Sequence, residues 1–486
     1  MVCYPWMRHE RHLATMALVD RSRSPLSVGQ RYLLDWNGAE ANAVTAPVSK
    51  EPPAGASLVM LLITTLATLA AMGPAALFAA DYSLSGFGTI GFAKSDQPYK
   101  YQRFVDDGGT LRRDSVAGVQ LDAWLTPSIG ATVQALASPS SYNDSEFDGT
   151  IAWAFASWRP TNDWLLRVGK QRLPLYLYSQ TYNVGTTFEF ARLPTEMYSI
   201  SPSNDYVGLS ATKTWDMRSG ELTLDGYWGR SGLDVRFWIR DGMPPNQPPS
   251  ALFRRLGIEG GGLVLTHRNA DTTYRVGVGR VTVEGKGSAN AYPVTYPFVS
   301  IAPGTGYYQV SANLPGPGIP TIDRYGYRTL TFAADIDLDS GYRVVTEIAR
   351  SFVTKTNLSN QSTRGYAALL TRVDEWTPYV TYAYLKSSSG PLSLHSKVNS
   401  NLVPPTIPGA AQINASQRIG ADGILVYDQH SWAIGTSYAL SPTSKLKAEW
   451  MRVRIGQVSS LVDAPAGSNI RNQSINVISL SYNVVF

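Results

Sequence analysis

The 486-residue chain contains one cysteine, Cys3, and few charged residues. With a single thiol, disulfide bonds cannot hold the fold together, and thiolate metal or redox sites are excluded. Charged residues make up 16% of the chain and the net charge at pH 7 is +5, which is too mild to indicate nucleic acid or any other particular partner. The sequence therefore predicts neither a metal site nor a bound cofactor.

Long hydrophobic runs are also scarce, with one exception near the amino terminus. Residues 58–72 are apolar and are followed by the small-residue segment 75–80. An apolar core of about 15 residues suits a secretory signal better than a spanning helix, which needs roughly 20. We predict that residues 49–80 form a signal peptide, cleaved after Ala79 or Ala80. Residues 1–48 are then a non-native or disordered extension from an over-extended start site.

From Asp81 onward the dominant pattern is the alternation of apolar and polar residues. Between residues 116 and 125, Val119 and Leu121 alternate with Gln120 and Asp122. Successive side chains of a strand point to opposite faces, so one face of this strand is apolar and the other is polar. The alternation resumes after a short turn at 126–130, which indicates a hairpin with one face suited to lipid and one suited to water.

Sixteen such runs can be counted, separated alternately by short turns and by longer connections. They lie near 82–93, 114–125, 130–138, 149–159, 164–172, 206–215, 221–229, 260–268, 272–283, 326–338, 342–353, 364–373, 376–386, 429–440, 445–455 and 474–486. An even number of antiparallel strands without cysteines or helices is typical of bacterial outer-membrane barrels. The predicted fold is all-β, a transmembrane antiparallel β-barrel of 16 strands over residues 81–486, with short periplasmic turns and long external loops.

The carboxy-terminal run has the pattern of the last strand of such a barrel, which is the segment offered to the barrel-assembly machinery. One face is polar through Ser479, Ser481 and Asn483. The other face is apolar or aromatic and ends at the terminal residue: Ile478, Leu480, Tyr482, Val484 and Phe486.

With these features, the chain resembles the Gram-negative porins over residues 81–486. The specific parts are the two ends, the segment 169–174 (Gly-Lys-Gln-Arg-Leu-Pro) and the segment 376–383 (Trp-Thr-Pro-Tyr-Val-Thr-Tyr-Ala). The resemblance implies a passive, water-filled channel in the cell outer membrane, assembled as a homotrimer. Its partners would be small hydrophilic solutes, outer-membrane lipid and lipopolysaccharide.

In sixteen-stranded porins the third external loop folds inward, and its acidic groups face basic residues on the barrel wall. The corresponding connection here is 173–205. It lacks the family's Pro-Glu-Phe-Gly-Gly element, and the most similar segment of this chain is 188–194. Within this loop, the candidate constriction residues are Glu189, Arg192 and Glu196. On or near the barrel wall, they are Arg167, Lys170, Arg172, Arg112 and Arg113.

Charged or polar residues at inward positions of the predicted strands would line the pore. These are Gln120, Asp122, Asp225, Asp335, Asp337, Lys447 and Glu449. An adhesin has no reason to line a lumen with such residues, so they favour a channel over a non-conducting, surface-binding barrel, which remains an alternative. A sugar- or anion-selective channel is a further alternative, because the loop 173–205 is rich in aromatic rings that could form a slide for sugars.

Catalysis is not predicted. Barrel-borne lipases and proteases need a nucleophile, a histidine base and an acidic partner on the rim. His430 and Ser431 follow Asp428, but adjacent strand residues point to opposite faces, and no Gly-x-Ser-x-Gly elbow is present. The glycines at 260–262 lead into a strand without a following Gly-Lys-Ser/Thr, so they do not indicate a phosphate-binding loop.

Overall fold

The computed structural model describes residues 81–200, 205–243, 247–286, 291–338 and 341–486. The predicted extension at 1–48 and the predicted signal peptide at 49–80 lie outside the described residues. Among the described residues, no helix is long and apolar enough to cross a membrane.

Sixteen antiparallel strands form one closed barrel, as predicted. They are β1 (Asp81–Ser95), β2 (Val116–Thr126), β3 (Ile129–Pro139), β4 (Phe147–Trp158), β5 (Trp164–Arg172), β6 (Asp205–Met217), β7 (Gly220–Ile239), β8 (Ser250–Arg268), β9 (Thr272–Gly285), β14 (Arg324–Asp337), β15 (Tyr342–Val353), β16 (Ser362–Thr371), β17 (Trp376–Ser387), β18 (Tyr427–Ser441), β19 (Ser444–Ser459) and β20 (Ser474–Val485). Four short strands lie between β9 and β14, namely β10 (Tyr292–Pro293), β11 (Phe298–Ala302), β12 (Thr305–Tyr308) and β13 (Thr321–Ile322).

The barrel closes where β1 pairs with β20, from Phe87 opposite Val485 to Ser95 opposite Val477. Gly86 and Phe486 also exchange both backbone hydrogen bonds, at 2.8 and 3.0 Å. A side chain at Gly86 would clash with the Phe486 ring, so the glycine makes room for the terminal ring. Closure leaves no unpaired strand edge in lipid, where unpaired backbone groups would be costly.

The outer face of the barrel is apolar because alternate residues of every strand point outward. Exposed apolar side chains cover it around the whole circumference, including Leu84, Val119, Leu121, Val168, Leu209, Leu263, Leu265, Val276, Val278, Leu330, Phe332, Ile348, Leu369, Ile434, Leu446, Ile478 and Leu480. Exposed aromatic rings lie near the short-turn end, as expected at a membrane interface: Tyr82, Trp124, Trp158, Trp164, Trp215, Tyr342 and Trp376. The barrel is therefore of the transmembrane type.

Long connections all lie at the other end, and we number them loops 1 to 8 in chain order. They span 96–115, 140–146, 173–204, 240–249, 286–323, 354–361, 388–426 and 460–473. The sequence predicted a long loop over 230–259, but β7 and β8 continue through most of it as a paired hairpin, from Arg230 opposite Glu259 to Ile239 opposite Ser250. The alternation of Leu233 and Val235 with polar neighbours extends the strand past Gly232.

Loop 7 contains two helices that the sequence did not predict, α2 (Ser389–Ser400) and α3 (Ala410–Asp422). Their buried side chains, among them Val398 and Ile413, pack with loop 5 and with the upper part of β8 in one apolar cluster. Both sequences carry little helical periodicity, so tertiary packing stabilises these helices. A third, one-turn helix, α1 (Thr195–Tyr198), belongs to loop 3.

Candidate functional site

Loop 3 folds into the barrel instead of standing above it. Its rings pack against inward side chains of β15, β16 and β17 in a single buried cluster. The Phe190 ring meets the Tyr379 ring edge-on, with centroids 5.2 Å apart, and meets the Tyr366 ring at 6.0 Å. Most of these aromatics are therefore used to fix the loop on the wall, and Tyr182, Phe188 and Tyr198 also reach the central cavity described below.

A buried carboxylate on the wall fixes the first half of loop 3. Glu347, on β15, accepts hydrogen bonds from the Leu177 backbone N–H at 2.9 Å and from the Tyr366 hydroxyl at 2.9 Å. It also accepts one from the Tyr198 hydroxyl. On β16, the fully buried Arg364 donates to the Tyr176 hydroxyl at 2.5 Å. Four loop and wall groups thus converge on two buried charged side chains.

Lys447 and Glu449, predicted to line the pore, instead hold the second half of loop 3. Both side chains point inward from β19 but lie beneath the loop, and Lys447 is 3% exposed. The Lys447 ammonium donates to the Gly185 carbonyl at 2.5 Å and to the Phe190 carbonyl at 2.9 Å. Glu449 accepts from the Tyr379 hydroxyl, which itself accepts from the Ala191 N–H. The pore-lining prediction is wrong for this pair, because the loop covers them.

Glu189 is attached to the wall at the tip of loop 3. Its carboxylate accepts from the Lys445 ammonium at 2.6 Å and from the Ser437 hydroxyl. Burial alone would raise the pKa of Glu189, but these two hydrogen bonds hold it below its usual value. Glu189 and Lys445 both line a cavity of about 490 Å³ toward the short-turn end, which we call the lower cavity.

Glu196, predicted to present a charge to the channel, is fully buried behind loop 3. One carboxyl oxygen accepts from the Gln429 amide at 2.8 Å, and the other has no hydrogen-bond partner among the described residues. Burial raises the pKa of Glu196. The side chain lines a small space together with Thr381 and is not part of the lining of the central cavity. Residues 195–198 form a one-turn helix that directs Glu196 toward Gln429 on the barrel wall instead of into the channel. The sequence pattern could not show this helix.

Replacing Glu196 with glutamine is expected to stabilise the protein at neutral pH. A carboxyl group whose pKa is raised in the folded state contributes stability that is complete below its unfolded pKa, near 4.5, and is lost as the pH rises through the folded value. The Glu196→Gln variant should therefore unfold at a higher temperature than the unmodified protein at pH 7.5 and at the same temperature at pH 4.

The Glu189→Gln variant is the control, and its stability is expected to change in the opposite direction because the pKa of Glu189 is lowered. Its stability should fall at pH 7.5 and approach that of the unmodified protein in acid. Thermal unfolding in detergent micelles at both pH values measures both variants. If the unfolding temperatures of the two variants shift equally and in the same direction, the opposite pKa shifts assigned to Glu196 and Glu189 are contradicted.

A mixed-charge cluster connects loop 1 with loop 3. Asp114 accepts from Arg113 at 2.6 Å and from Arg192 at 2.5 Å, and Arg113 also donates to the Ser479 hydroxyl at 2.8 Å. Burial would raise the pKa of Asp114, but the two guanidinium groups hold it below its usual value. Arg112, predicted alongside them, donates to the Asp144 carbonyl in loop 2 and lies higher in the mouth.

A large space inside the barrel, the central cavity, has a volume of about 600 Å³ and lies between loop 3 and the wall of β1 to β5. Six basic and four acidic side chains line it: Arg103, Arg113, Lys170, Arg172, Arg192 and Arg255 against Asp114, Asp148, Asp205 and Asp234. Lys170 forms an ion pair with Asp205 at 3.0 Å. Arg167 lies outside this cavity, over the Phe155 ring and beside Arg172 in a side pocket.

The other predicted pore-lining residues form polar networks on the inner wall. Asp122 accepts from Gln120 at 2.7 Å and from Thr132 at 2.6 Å. Asp225 accepts from Thr212 at 2.6 Å. Asp335 binds Arg343 through two hydrogen bonds of 2.6 and 2.5 Å, and Asp337 lines the lower cavity.

An upper cavity of about 240 Å³ lies at the long-loop end and shares Arg103, Ser141, Leu233 and Asp234 with the central cavity. The hairpin of β7 and β8 covers part of it. In the closed strand order β7 and β8 stand opposite β19 and β20. Arg236 of this hairpin nevertheless reaches Asp463 in loop 8 at 2.6 Å and Asp144 in loop 2 at 2.8 Å. The hairpin therefore crosses the mouth of the barrel.

Sequence reasoning missed the residues that fix loop 3 and the hairpin, above all Glu347, Arg364, Tyr379 and Arg236. A signal was available for two of them. Glu347 and Arg364 are charged residues at inward positions of strands whose neighbouring inward positions, such as Val345 and Ala368, are apolar. Isolated charges there indicate specific buried partners. Which loop would supply those partners could not be read from the alternation.

The structure also shows where the one candidate nucleophile–base pair of the sequence lies. His430 is exposed on the outer face and Ser431 is buried inside, so the two do not form a nucleophile–base pair. Within the described ranges, no group of three or more histidine, cysteine, aspartate or glutamate side chains could hold a metal ion.

Comparison with known proteins gives structural matches only. No protein-family model and no curated protein matches the sequence. Three of the structural matches, each covering 84% of this chain, are OmpT of Vibrio cholerae (TM-score 0.47, 11% identity, 98% of that chain covered), an anion-selective porin from Comamonas acidovorans (0.46, 9%, 100%) and OprB of Pseudomonas putida (0.46, 8%, 94%). At these identities and TM-scores, the matches show neither the function nor the ligand of this chain. The closed strand order itself establishes a sixteen-stranded transmembrane antiparallel β-barrel, the architecture that the porin resemblance implied.

Proposed function

We propose that the protein is a porin, a water-filled channel through which small hydrophilic solutes and ions diffuse passively across the outer membrane. The observation that carries this proposal is the run of three cavities inside a barrel with an apolar outer face, of which the central one is lined by charged side chains. The upper and central cavities share lining residues, and the neighbouring loop 3 residues Phe188 and Glu189 line the central and the lower cavity. Loop 3 thus lies where solutes would be sorted by size and charge.

Planar-bilayer conductance of the purified protein tests the proposal. Stepwise openings are expected, and groups of three steps would support the homotrimer that the family resemblance implies. A folded barrel, shown by a heat-dependent change in gel mobility, that gives no conductance would refute the channel and favour the surface-binding alternative, in which loops 5 and 7 contact a partner.

An anion preference is the second part of the proposal. The central cavity has two more basic than acidic side chains, and among the described residues no ion pair is found for Arg172 or Arg255. Fixed charge in a confined aqueous neck raises the concentration of counter-ions. A sugar slide is less well supported, because most rings of loop 3 are buried against the wall.

The Arg172→Gln, Arg255→Gln double variant should lower the anion-to-cation permeability ratio. In water, a unit charge about 10 Å from a permeating ion contributes about 0.4 kcal/mol, favourable for an anion and unfavourable for a cation, so each charge changes the ratio by a factor of about four. The reversal potential in a salt gradient measures this ratio. The control is Arg230→Gln, which removes an exposed charge from the outer face. An unchanged reversal potential in the double variant would contradict the anion preference.

A further inference from the structure

The hairpin of β7 and β8 borders two different spaces where it crosses the mouth. Asp234 and Arg255 lie opposite each other, and both line the central cavity. Val235 and Arg254 form the next pair along the hairpin, and they line the upper cavity but not the central one. Because neighbouring residues of a strand point to opposite faces, the hairpin lies between the two cavities along this stretch.

The upper cavity has a largely apolar lining. Aliphatic side chains of the hairpin and of the wall contribute to it, among them Leu233, Val235, Leu256, Ile258 and Val283. Aromatic rings contribute as well, namely Phe237, Tyr292, Tyr325, Tyr327 and Tyr427. The Tyr292 and Tyr325 rings pack together, with centroids 4.9 Å apart. A lining of this kind gains free energy when an apolar or aromatic group displaces water from it.

The volume of the upper cavity suits a molecule with a single ring. An engineered apolar cavity of about 150 Å³ binds benzene. The upper cavity has a volume of about 240 Å³, so it holds one ring and leaves room for a small substituent.

Arg254 places a positive charge beside these rings. Its guanidinium lies over the Tyr292 ring, 4.9 Å from the centroid, and donates a hydrogen bond to the Ala291 carbonyl at 2.9 Å. These two contacts fix the orientation of the side chain. A guanidinium has five N–H donors in a planar fork, so Arg254 can keep both contacts and also bind a carboxylate.

The other charged groups of the lining have other roles. Arg103 and Arg236 both bind Asp144, at 2.9 and 2.8 Å, and so hold the hairpin to loops 1 and 2. Asp234 lies opposite Arg255 on the hairpin face that borders the central cavity. Within the upper cavity, Arg254 is therefore the residue to which we assign recognition of an anionic group.

We propose that the upper cavity binds a monocyclic aromatic carboxylate, with the ring between the hairpin and the tyrosines and the carboxylate on Arg254. A guanidinium binds a carboxylate through two parallel hydrogen bonds, which gives both strength and orientation. Edge-on contacts with the tyrosine rings add to the gain from burying the ring of the ligand. The inference concerns binding, so it does not rest on whether the barrel conducts.

Isothermal titration calorimetry of benzoate into the purified protein in detergent micelles tests the site. The unmodified protein should bind one benzoate per chain. Arg254→Gln should bind it roughly 10- to 100-fold more weakly, because a hydrogen bond between charged groups is lost. The matched control is Arg255→Gln, which removes the same charge from the adjacent residue of the same strand, in the central cavity. It should change the affinity by no more than about twofold.

Val235→Trp tests the space separately from the charge. Val235 is partly buried and lies opposite Arg254, so an indole there would occupy the place of the ligand ring and leave the guanidinium intact. Benzoate binding should be lost, and heat-dependent gel mobility shows that the variant is folded. Unchanged binding in this variant would mean that benzoate binds elsewhere, which would overturn the site.

Two further ligands separate the contribution of the ring from that of the charge. Benzamide keeps the ring without the charge, and acetate keeps the charge without the ring. Each should bind at least about 10-fold more weakly than benzoate. Equal affinity for acetate would leave only a general anion site, and equal affinity for benzamide would remove the role of Arg254. Either result, or equal weakening in Arg254→Gln and Arg255→Gln, would overturn the proposal.

Discussion

Replacing Arg236 with alanine should release the hairpin from the mouth of the barrel and increase single-channel conductance. The Arg236 guanidinium is bound by Asp463 through two hydrogen bonds, of 2.7 and 2.6 Å, and by Asp144. The Asp463 side chain is 4% exposed, so the substitution leaves a buried, uncompensated charge. Removing one partner of such a pair costs about 3–5 kcal/mol.

Hydrogen exchange shows whether the hairpin is released, and bilayer conductance shows the consequence. In Arg236→Ala, amides in 230–239 and 250–259 should exchange faster, whereas the strands below should not change. Arg230→Ala is the matched control on the same hairpin, because its pair with Glu259 is exposed and such pairs contribute about 0–1 kcal/mol. Unchanged exchange and conductance in Arg236→Ala would mean that the hairpin does not restrict the mouth.

Replacing Glu347 with leucine should detach the first half of loop 3 from the wall. The substitution leaves the Leu177 N–H and the Tyr366 and Tyr198 hydroxyls without their acceptor. Each buried donor left unpaired costs about 1–3 kcal/mol, so the total loss should be at least about 3 kcal/mol. Denaturant unfolding of the refolded protein measures this loss.

Channel recordings separate loss of the loop contact from general loss of stability. In Glu347→Leu, a detached loop 3 should produce noisier and larger conductance steps. Glu347→Gln keeps a carbonyl acceptor at the same place and should show a smaller loss of stability and quiet steps. If the leucine variant unfolds more readily but conducts like the unmodified protein, loop 3 is held by its packed rings rather than by Glu347.

Strand prediction succeeded where the pairing partners are neighbours in sequence. The run at 164–172 and the run at 342–353 match β5 and β15 residue for residue. In an antiparallel barrel each strand pairs mainly with the next, so alternation and turn residues contain most of the information. Long connections lack this constraint, which explains why the sequence showed neither the β7–β8 extension nor helices α2 and α3.

The candidate site residues were predicted less successfully than the strands, because their surroundings also depend on contacts with the long loops. Alternation correctly placed Lys447 and Glu449 on the inner face, but whether an inward residue meets water depends on what lies over it. Loop 3 covers both of them, and Glu196 turns away from the central cavity in a one-turn helix. Arg192 and Arg172, by contrast, do line that cavity.

By itself, the sequence determined the closed sixteen-stranded barrel, its apolar outer face and its polar inner face, because a two-residue period assigns each strand residue to one side. Only the tertiary structure decided which inward charges are buried under loop 3, which ones line the central cavity, and that Arg236 bridges the mouth. Those outcomes depend on contacts between residues far apart in the chain, such as Arg236 and Asp463, which are 227 positions apart. No local pattern encodes such contacts, since they follow from the shape of the folded loops.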